Sequence, residues 1–174
     1  MVLLGITFSM FSQDLADHLI SLPKTINDGG ANINLQDENS RLYLKSEDAP
    51  NYDFLVQIYS NKKKTFGISI HNQEDNSHIG LIRIDFNGGH KNPEKANEFV
   101  PNYVKKYEGH WFENESHMHL YIQGYSPLAW AIPLSDSNFP IKNISDNNEY
   151  ESAIIAFMNI INNKTNIQFQ HPIL

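Results

Sequence analysis

Titratable side chains are concentrated on one side of two segments in which polar and apolar residues alternate. The first segment reads Leu-Ile-Arg-Ile-Asp-Phe over 81–86, and the second reads His-Met-His-Leu-Tyr-Ile over 117–122. Successive side chains of a strand point to opposite faces of its sheet. We therefore expect two half-buried strands. If they pair, five titratable groups share one polar, solvated face: Arg83, Asp85, His117, His119 and Tyr121.

One chemistry that this polar face can support is metal-free acid–base catalysis at a phosphodiester. His117 and His119 would form the acid–base pair, because an imidazole titrates near neutral pH. Arg83 can bind a phosphate group through two parallel hydrogen bonds. These parts suit a ribonuclease, in which the 2′-hydroxyl of the RNA is itself the nucleophile. The remaining catalytic roles are orientation of a histidine by Asp85, a hydrogen bond from Tyr121 and a third imidazole from His90.

The same histidines can instead hold a metal ion. His117 and His119 lie two residues apart on one strand, so that both can face a single zinc ion. The third ligand would be His90, or alternatively His110 or Asp85. No His-Glu-x-x-His motif supports this interpretation. We prefer the metal-free interpretation, in which no cofactor is required, and keep zinc as the alternative.

Two further residues are candidates for contacts with the substrate. Trp130 can stack on a base, although aromatic residues more often belong to a core. Asn92 lies in the polar run that follows the first strand and is a candidate substrate-binding residue. The sequence contains no dinucleotide-binding glycine motif, no Walker phosphate loop and no Gly-x-Ser-x-Gly nucleophile motif.

The elements that must position these residues can be predicted from periodicity and capping signals. Ser12 is expected to begin a helix that ends near Leu22, before Pro23. Asp146 and Glu149 form a capping-box signature before a helix over about 147–162. Strands are expected at about 41–46, 53–60, 65–71, 79–86, 117–123, 128–133 and 166–169. This order indicates an α+β fold with a mostly antiparallel sheet of five to seven strands packed against an N-terminal and a C-terminal helix.

We expect residues 1–174 to form a single domain that contains one long loop. The loop spans about 87–116, is polar, and joins the two strands that carry the titratable face. Connections of this length in a compact domain are usually functional or mobile. A second loop is expected at 27–39, and the lysine run at 62–64 is expected at an exposed hairpin tip.

Composition and charge exclude several classes of protein. The chain has no cysteine, which excludes disulfides, thiolate metal sites and cysteine nucleophiles. Its net charge of −7 argues against broad binding to a nucleic-acid backbone and is compatible with a basic protein partner. The apolar opening at 1–11 lacks the features of an export signal, and no apolar run is long enough to span a membrane. We therefore expect a soluble cytoplasmic protein with no membrane partner.

Three segments of the sequence together resemble an uncharacterised family of bacterial and prophage proteins. They are the runs at 81–93, 117–124 and 129–134, which carry a His-x-Asn-Pro…His-x-His-x-Tyr pattern from His90 to Tyr121. The pattern is also distantly similar to toxin–antitoxin-associated domains with a His-x-Pro-Pro-His-x-His motif. The resemblance implies a mobile-element or phage–host-conflict context and implies no particular activity.

Two functional hypotheses follow from these observations. The first is a histidine-dependent nuclease or phosphodiesterase that acts on RNA or a nucleotide at the polar face. The second is a non-enzymatic inhibitor of the anti-CRISPR or antitoxin type, whose acidic surface binds a basic site on a host or phage protein. The clustered titratable face favours the enzyme, and the net charge favours the inhibitor.

Overall fold

The structure of this chain is a computed structural model that describes residues 10–27, 31–61, 67–146 and 148–170. Several expectations fall wholly or partly outside these residues. They concern the apolar opening at 1–11, part of the loop at 27–39, the lysine run at 62–64, the first residues of the strand at 65–71 and the start of the helix at 147.

A seven-stranded antiparallel sheet forms the centre of the fold and confirms the predicted α+β class. The strands of the described residues are β1 (Thr25–Ile26), β2 (Asn32–Asn34), β3 (Asn39–Lys45), β4 (Asp53–Asn61), β5 (Gly67–Glu74), β6 (Ile79–Lys91), β7 (Trp111–Leu120), β8 (Trp130–Pro133) and β9 (Gln168–Gln170). The large sheet has the order β1-β3-β4-β5-β6-β7-β8. Neighbours in this sheet are therefore mostly neighbours in sequence, which places β6 directly beside β7.

Capping residues begin the two longer helices where the sequence predicts. Ser12 accepts a hydrogen bond from the Leu15 N–H at the start of the first helix. Asp146 and Glu149 bond reciprocally, each carboxylate accepting from the N–H of the other residue. None of the helices in the described residues is long and apolar enough to cross a membrane. The helices are α1 (Gln13–Ser21), α2 (Asn102–Lys105) and α3 (Asn148–Ile160).

The main core lies between the two longer helices and one face of the sheet. Leu19 of α1 and Phe157 of α3 are fully buried in it. They pack in one cluster with Val56, Ile70 and Ile84, which come from three successive strands. Side chains alternate between the two faces along each strand, so the residues next to Val56, Ile70 and Ile84 point to the other face of the sheet. The titratable residues of β6 and β7 belong to that other face.

The connection between β6 and β7 is shorter than the predicted loop at 87–116. β6 continues to Lys91 and β7 begins at Trp111, so the connection spans 92–110 and contains α2. The two strands remain paired through irregular steps at Gly88 and Gly89. Asn87 has a φ of 52° there, in the left-handed region that asparagine and glycine tolerate best. The Asn-Gly-Gly run at 87–89, which lies in the predicted loop, is therefore a bulge inside a paired strand.

β2 and β9 form a small second sheet that the sequence did not predict. β2 falls within the expected loop at 27–39 and pairs in parallel with β9. The C-terminal strand expected at 166–169 therefore belongs to this two-stranded sheet, not to the large one. Ile33 of β2 is buried in the main core and fastens the small sheet to it.

Candidate functional site

The register between β6 and β7 brings four of the predicted site residues side by side. Arg83 lies opposite His119, and Asp85 lies opposite His117. Directly opposed side chains in an antiparallel pair have Cβ atoms about 5 Å apart. The alternation in the sequence thus placed these four residues on a common face, as the structure has them.

Three potential ligand atoms converge at the centre of this group. The Nε2 atoms of His117 and His119 are 3.0 Å apart. Asp85 Oδ2 lies 3.0 Å from His119 Nε2 and 3.5 Å from His117 Nε2. Arg83 closes the group on one side, with its Nη2 atom 2.7 Å from His119 Nε2 and 2.8 Å from Asp85 Oδ2. We call Asp85, His117 and His119 the Asp–His–His cluster.

Backbone carbonyl groups fix the orientation of both imidazoles in the cluster. His117 Nδ1 lies 2.7 Å from the Glu115 carbonyl oxygen, and His119 Nδ1 lies 2.8 Å from the Leu128 carbonyl oxygen. A carbonyl oxygen accepts hydrogen bonds, so each Nδ1 must carry the proton. In the neutral form of each ring, Nε2 then has no hydrogen. The two Nε2 lone pairs therefore point toward each other and toward the Asp85 carboxylate.

The surroundings favour a neutral imidazole at His119 and an ionised carboxylate at Asp85. Burial lowers the pKa of His119 to about 4, and the Arg83 charge acts in the same direction against the opposing effect of Asp85. Burial alone would raise the pKa of Asp85. The charge of Arg83, whose guanidinium donates to Asp85 Oδ2, opposes burial and holds this pKa below its usual range. At neutral pH, Asp85 is charged and His119 is an uncharged base.

The prediction that the two histidines lie on a solvated face is wrong. His117 and His119 are both 0% exposed. The irregular extension of β6 brings His90 over them, with its ring 4.5 Å from that of His119. Phe112 stacks beside His117, with ring centres 4.7 Å apart. Access to the cluster from solvent is through Arg83 and Asp85, which are one-third and about one-eighth exposed at the side chain.

Tyr121 and Trp130 lie away from the cluster, contrary to prediction. β7 ends at Leu120, so the alternation of faces stops before Tyr121. The Tyr121 side chain is buried in the main core, and its hydroxyl donates to the Phe11 carbonyl oxygen. Trp130 pairs with Leu120 and is fully buried in a second apolar cluster. Neither side chain can contact a substrate at the cluster in this arrangement.

Asn92 and His90 have structural partners in place of the predicted substrate or metal. Asn92 is buried, and its amide both donates to and accepts from the backbone of Ala131. It thereby fastens the 92–110 connection to the outer edge of β8. His90 Nε2 lies 3.0 Å from the Ala129 carbonyl oxygen, so this atom is not free to bind a metal. His110, the alternative ligand, lies 3.4 Å from the carboxylate of Glu115.

His71 is a neighbour of the site that the sequence did not single out. It lies on β5 directly opposite Arg83, on the same face as the cluster. Its Nε2 atom is buried and has no hydrogen-bond partner among the residues that the structure describes. Burial, with the Arg83 charge, lowers the pKa of His71 to about 4. The alternation over 65–71 placed His71 on the polar side of its strand, but the pairing of β5 with β6 was needed to place it beside Arg83.

The Asp–His–His cluster has the composition and spacing of a transition-metal site. Two imidazoles and one carboxylate form a common three-residue ligand set that leaves coordination positions open. Tetrahedral zinc, with bonds of 2.0–2.2 Å, separates its ligand atoms by roughly 3.3 Å. The separations of 3.0, 3.0 and 3.5 Å in the cluster bracket this value. Metal-binding histidines also typically donate their second N–H to a carbonyl or carboxylate, as both histidines do here.

The fold and the site together define an α+β protein with a buried Asp–His–His cluster on the polar face of an antiparallel sheet. The chain belongs to the family of unknown function DUF6978, which matches residues 11–163. No curated protein and no solved structure matches the chain.

Proposed function

We propose that the protein is a metal-dependent phosphodiesterase that acts on RNA or nucleotides, with a divalent cation held by Asp85, His117 and His119. The observation that carries this proposal is the convergence of His117 Nε2, His119 Nε2 and a carboxylate oxygen within 3.5 Å. Lone pairs at this separation repel one another unless a cation lies between them. A divalent ion is the cation for which these ligand types are suited.

The protonation of His119 and His90 favours this mechanism over the metal-free one. Acid–base cleavage of RNA needs one neutral imidazole and one protonated imidazole. Burial lowers the pKa of both His119 and His90, so these two rings are neutral at neutral pH. Neutral imidazoles are poor general acids but good metal ligands. We therefore replace the metal-free interpretation of the sequence with a metal-dependent one.

Arg83 is the residue that connects the cluster to a substrate. A divalent cation supplies Lewis acidity to a phosphate oxygen and lowers the pKa of water. The guanidinium of Arg83 can hold a second phosphate oxygen and stabilise charge in the transition state. Its side chain is the most exposed part of the site, so a phosphate arriving from solvent contacts Arg83 first.

Arg83 also compensates the cluster when no metal is bound. Its guanidinium donates to Asp85 Oδ2 from Nε at 2.9 Å and lies within 2.8 Å of the same oxygen through Nη2. A metal ion would compete with this guanidinium for Asp85 and His119. A bound metal would displace Arg83 from these two atoms and leave its guanidinium available to a phosphate.

A cleavage assay on metal-stripped protein tests the proposal. Labelled single-stranded RNA is incubated with the protein after chelation and again after addition of Zn²⁺ or Mn²⁺. We expect cleavage to require the added metal and to disappear in His119→Ala. His110→Ala is the matched control and should cleave normally, because His110 is a half-exposed imidazole outside the cluster. Cleavage that persists in chelator and yields a cyclic phosphate would restore the metal-free mechanism.

The acidic inhibitor is the second candidate, and the net charge of −7 is the observation that favours it. In the mobile-element or phage–host-conflict context that the sequence resemblance implies, such a protein would bind a basic site on another protein. Its binding would weaken with salt and would not depend on the cluster. Inhibition that survives both His119→Ala and chelation, without RNA cleavage under any condition, would favour this candidate over the enzyme.

A further inference from the structure

The sheet face that carries the Asp–His–His cluster continues across β5, β4 and β3, and there it is accessible to solvent. We infer that this accessible part binds single-stranded nucleic acid, with one base stacked on Tyr59 and phosphates bound by Arg83 and Arg41. The inference rests on the proposed function, because it supplies the substrate class of the same site.

Two rows of side chains cross the sheet and lead to the cluster. In the first row, Arg41 lies opposite Gln57, Gln57 opposite His71, and His71 opposite Arg83. In the second row, Tyr59 lies opposite Ser69, and Ser69 lies opposite Asp85. The first row ends at Arg83, beside the cluster, and the second row ends at the cluster residue Asp85. We call the exposed and half-buried members outside the cluster the platform: Arg41, Gln57, Tyr59, Ser69, His71 and Arg83.

Tyr59 is placed to stack on a base. Its side chain is 50% exposed, although it lies in the middle of a seven-stranded sheet. A cavity of about 130 Å³ adjoins it, and Ser69, Asp85 and Gly88 contribute to the lining. A base stacked on Tyr59 would therefore border the same cavity as the Asp85 carboxylate. Stacking on tyrosine tolerates any base, because every base has a π face.

The local charge of the platform suits a phosphate backbone despite the acidic chain. The two rows contain two arginines and one carboxylate, which gives a local charge of +1 with the histidines neutral. That carboxylate, Asp85, is already paired with Arg83. Arg41 is exposed and has no ion-pair partner among the described residues. The platform is therefore a cationic strip on a protein of net charge −7.

The spacing of the two arginines fits a short single strand. Arg41 and Arg83 lie three strand spacings apart, which is about 14 Å at 4.8 Å per strand. Tyr59 lies between them along the sheet, on β4. Only unpaired bases expose a face that can stack on a side chain, so a duplex cannot use Tyr59. The geometry therefore predicts a preference for single strands over duplexes.

A binding titration with a short fluorescein-labelled oligouridine tests the inference. Fluorescence anisotropy is measured on the full chain in chelator, which stops metal-dependent cleavage. Tyr59→Ala should weaken binding about 10-fold, in line with the loss of one stacked base. Tyr59→Phe should restore the affinity, because the ring and not the hydroxyl makes the stack. Tyr103→Ala is the matched control, since Tyr103 is equally exposed but lies on α2.

The salt dependence of the same titration counts the phosphate contacts. In chelator Arg83 stays paired with Asp85, so the contact from Arg41 alone predicts a slope of about −0.7 for log affinity against log salt. Arg41→Gln should bring the slope close to zero, because this contact is lost. Binding of the duplex form as tight as that of the single strand, or equal affinities of Tyr59→Ala and the wild type, would overturn the inference.

A substrate without bases separates failure of this inference from failure of the proposed function. An oligonucleotide of abasic residues has phosphodiester bonds but no ring to stack, so Tyr59→Ala should hydrolyse it at the wild-type rate while His119→Ala should not. Hydrolysis that continues in both RNA and abasic-substrate assays without any role for Tyr59 rejects the platform alone. Tyr59-dependent binding of oligouridine by a protein that hydrolyses neither substrate supports the platform and rejects the proposed function.

Discussion

Lys24 and the Asp–His–His cluster are buried ionisable sites that differ in how fully their polar atoms are paired. Lys24 is fully buried next to the C-terminal ends of α1 and α3. Its ammonium donates to the carbonyl oxygens of Ile20, Leu22 and Ile161 at 2.9, 2.9 and 3.0 Å. Three donors therefore meet three acceptors. Burial lowers the pKa of Lys24 to about 7, and the three carbonyls oppose that shift because they bind the charged form.

The Asp–His–His cluster has the opposite balance of donors and acceptors. Three lone-pair atoms face one another there, and Arg83 supplies the hydrogen-bond donors. Within the described part of the chain, no N–H donor reaches His117 Nε2, whose neighbours are His119 Nε2 and Asp85 Oδ2. A buried polar group with complete partners is a structural feature. An excess of buried lone pairs leaves room for a cation, and this is why we assign function to the cluster and not to Lys24.

The first prediction concerns Lys24 and has the largest expected effect on stability. Lys24→Met should lower the free energy of unfolding by about 3 kcal/mol, because it leaves buried carbonyl groups without donors. Urea denaturation, with and without chelator, measures the loss, which should be equal in both conditions. Lys164→Met is the control: Lys164 is an exposed lysine whose backbone N–H bonds to the Lys24 carbonyl oxygen. A Lys24 variant as stable as this control would contradict the structural role.

The second prediction concerns His71, which has no hydrogen-bond partner for its buried Nε2 atom in the described ranges. Its pKa is lowered to about 4 from an ordinary value of 6.5. The unfolded chain therefore takes up this proton at a higher pH than the folded chain, and stability falls as pH drops from 6.5 to 4. Over this pH range and in the presence of chelator, the free energy of unfolding of His71→Gln should fall by about 2 kcal/mol less than that of the wild type.

Denaturation at a series of pH values measures this difference between the two proteins. Comparing slopes, and not absolute stabilities, removes any cost of the substitution itself. Parallel curves for wild type and His71→Gln over this window would show that His71 titrates in the folded protein as it does in the unfolded chain.

The third prediction concerns Arg83, which supplies the hydrogen-bond donors of the Asp–His–His cluster. Arg83→Gln should bind Zn²⁺ about 10-fold more tightly, because it removes a guanidinium that competes for Asp85 and His119. The same variant should cleave RNA more slowly, since it loses its phosphate contact. Competition with a fluorescent zinc chelator measures the affinity. Weaker zinc binding by Arg83→Gln would mean that the arginine supports the ligands and does not compete with the metal.

Alternation in the sequence was sufficient to place the core of the site. Arg83, Asp85, His117 and His119 could be assigned to one face because side chains of a strand alternate strictly while it remains paired. The same rule failed for Tyr121, which lies one residue beyond the end of β7. The capping residues of the two longer helices were also predictable, because capping depends on side chains a few residues apart.

Burial of the site could not be predicted, because it depends on residues distant in sequence. His90 and Phe112 cover the two imidazoles as a consequence of the bulged pairing at Gly88 and Gly89. An Asn-Gly-Gly run forms a turn in isolation, and only its partner strand makes it a bulge. The third ligand was likewise ambiguous in the sequence. In the metal site that we propose, it is Asp85 and not His90, because the Nε2 atom of His90 lies 3.0 Å from the Ala129 carbonyl oxygen.

Metal binding by the purified chain is the most direct test of the central claim. Isothermal titration of metal-stripped protein with Zn²⁺, and the visible spectrum after loading with Co²⁺, should show one bound ion per chain. Asp85→Asn, His117→Ala and His119→Ala should each lose more than about 100-fold in affinity, since even outer partners of metal ligands contribute 10–100-fold. His90→Ala should bind as the wild type does. A wild type that binds no stoichiometric metal, or that loses it in His90→Ala and keeps it in His117→Ala, would contradict the account.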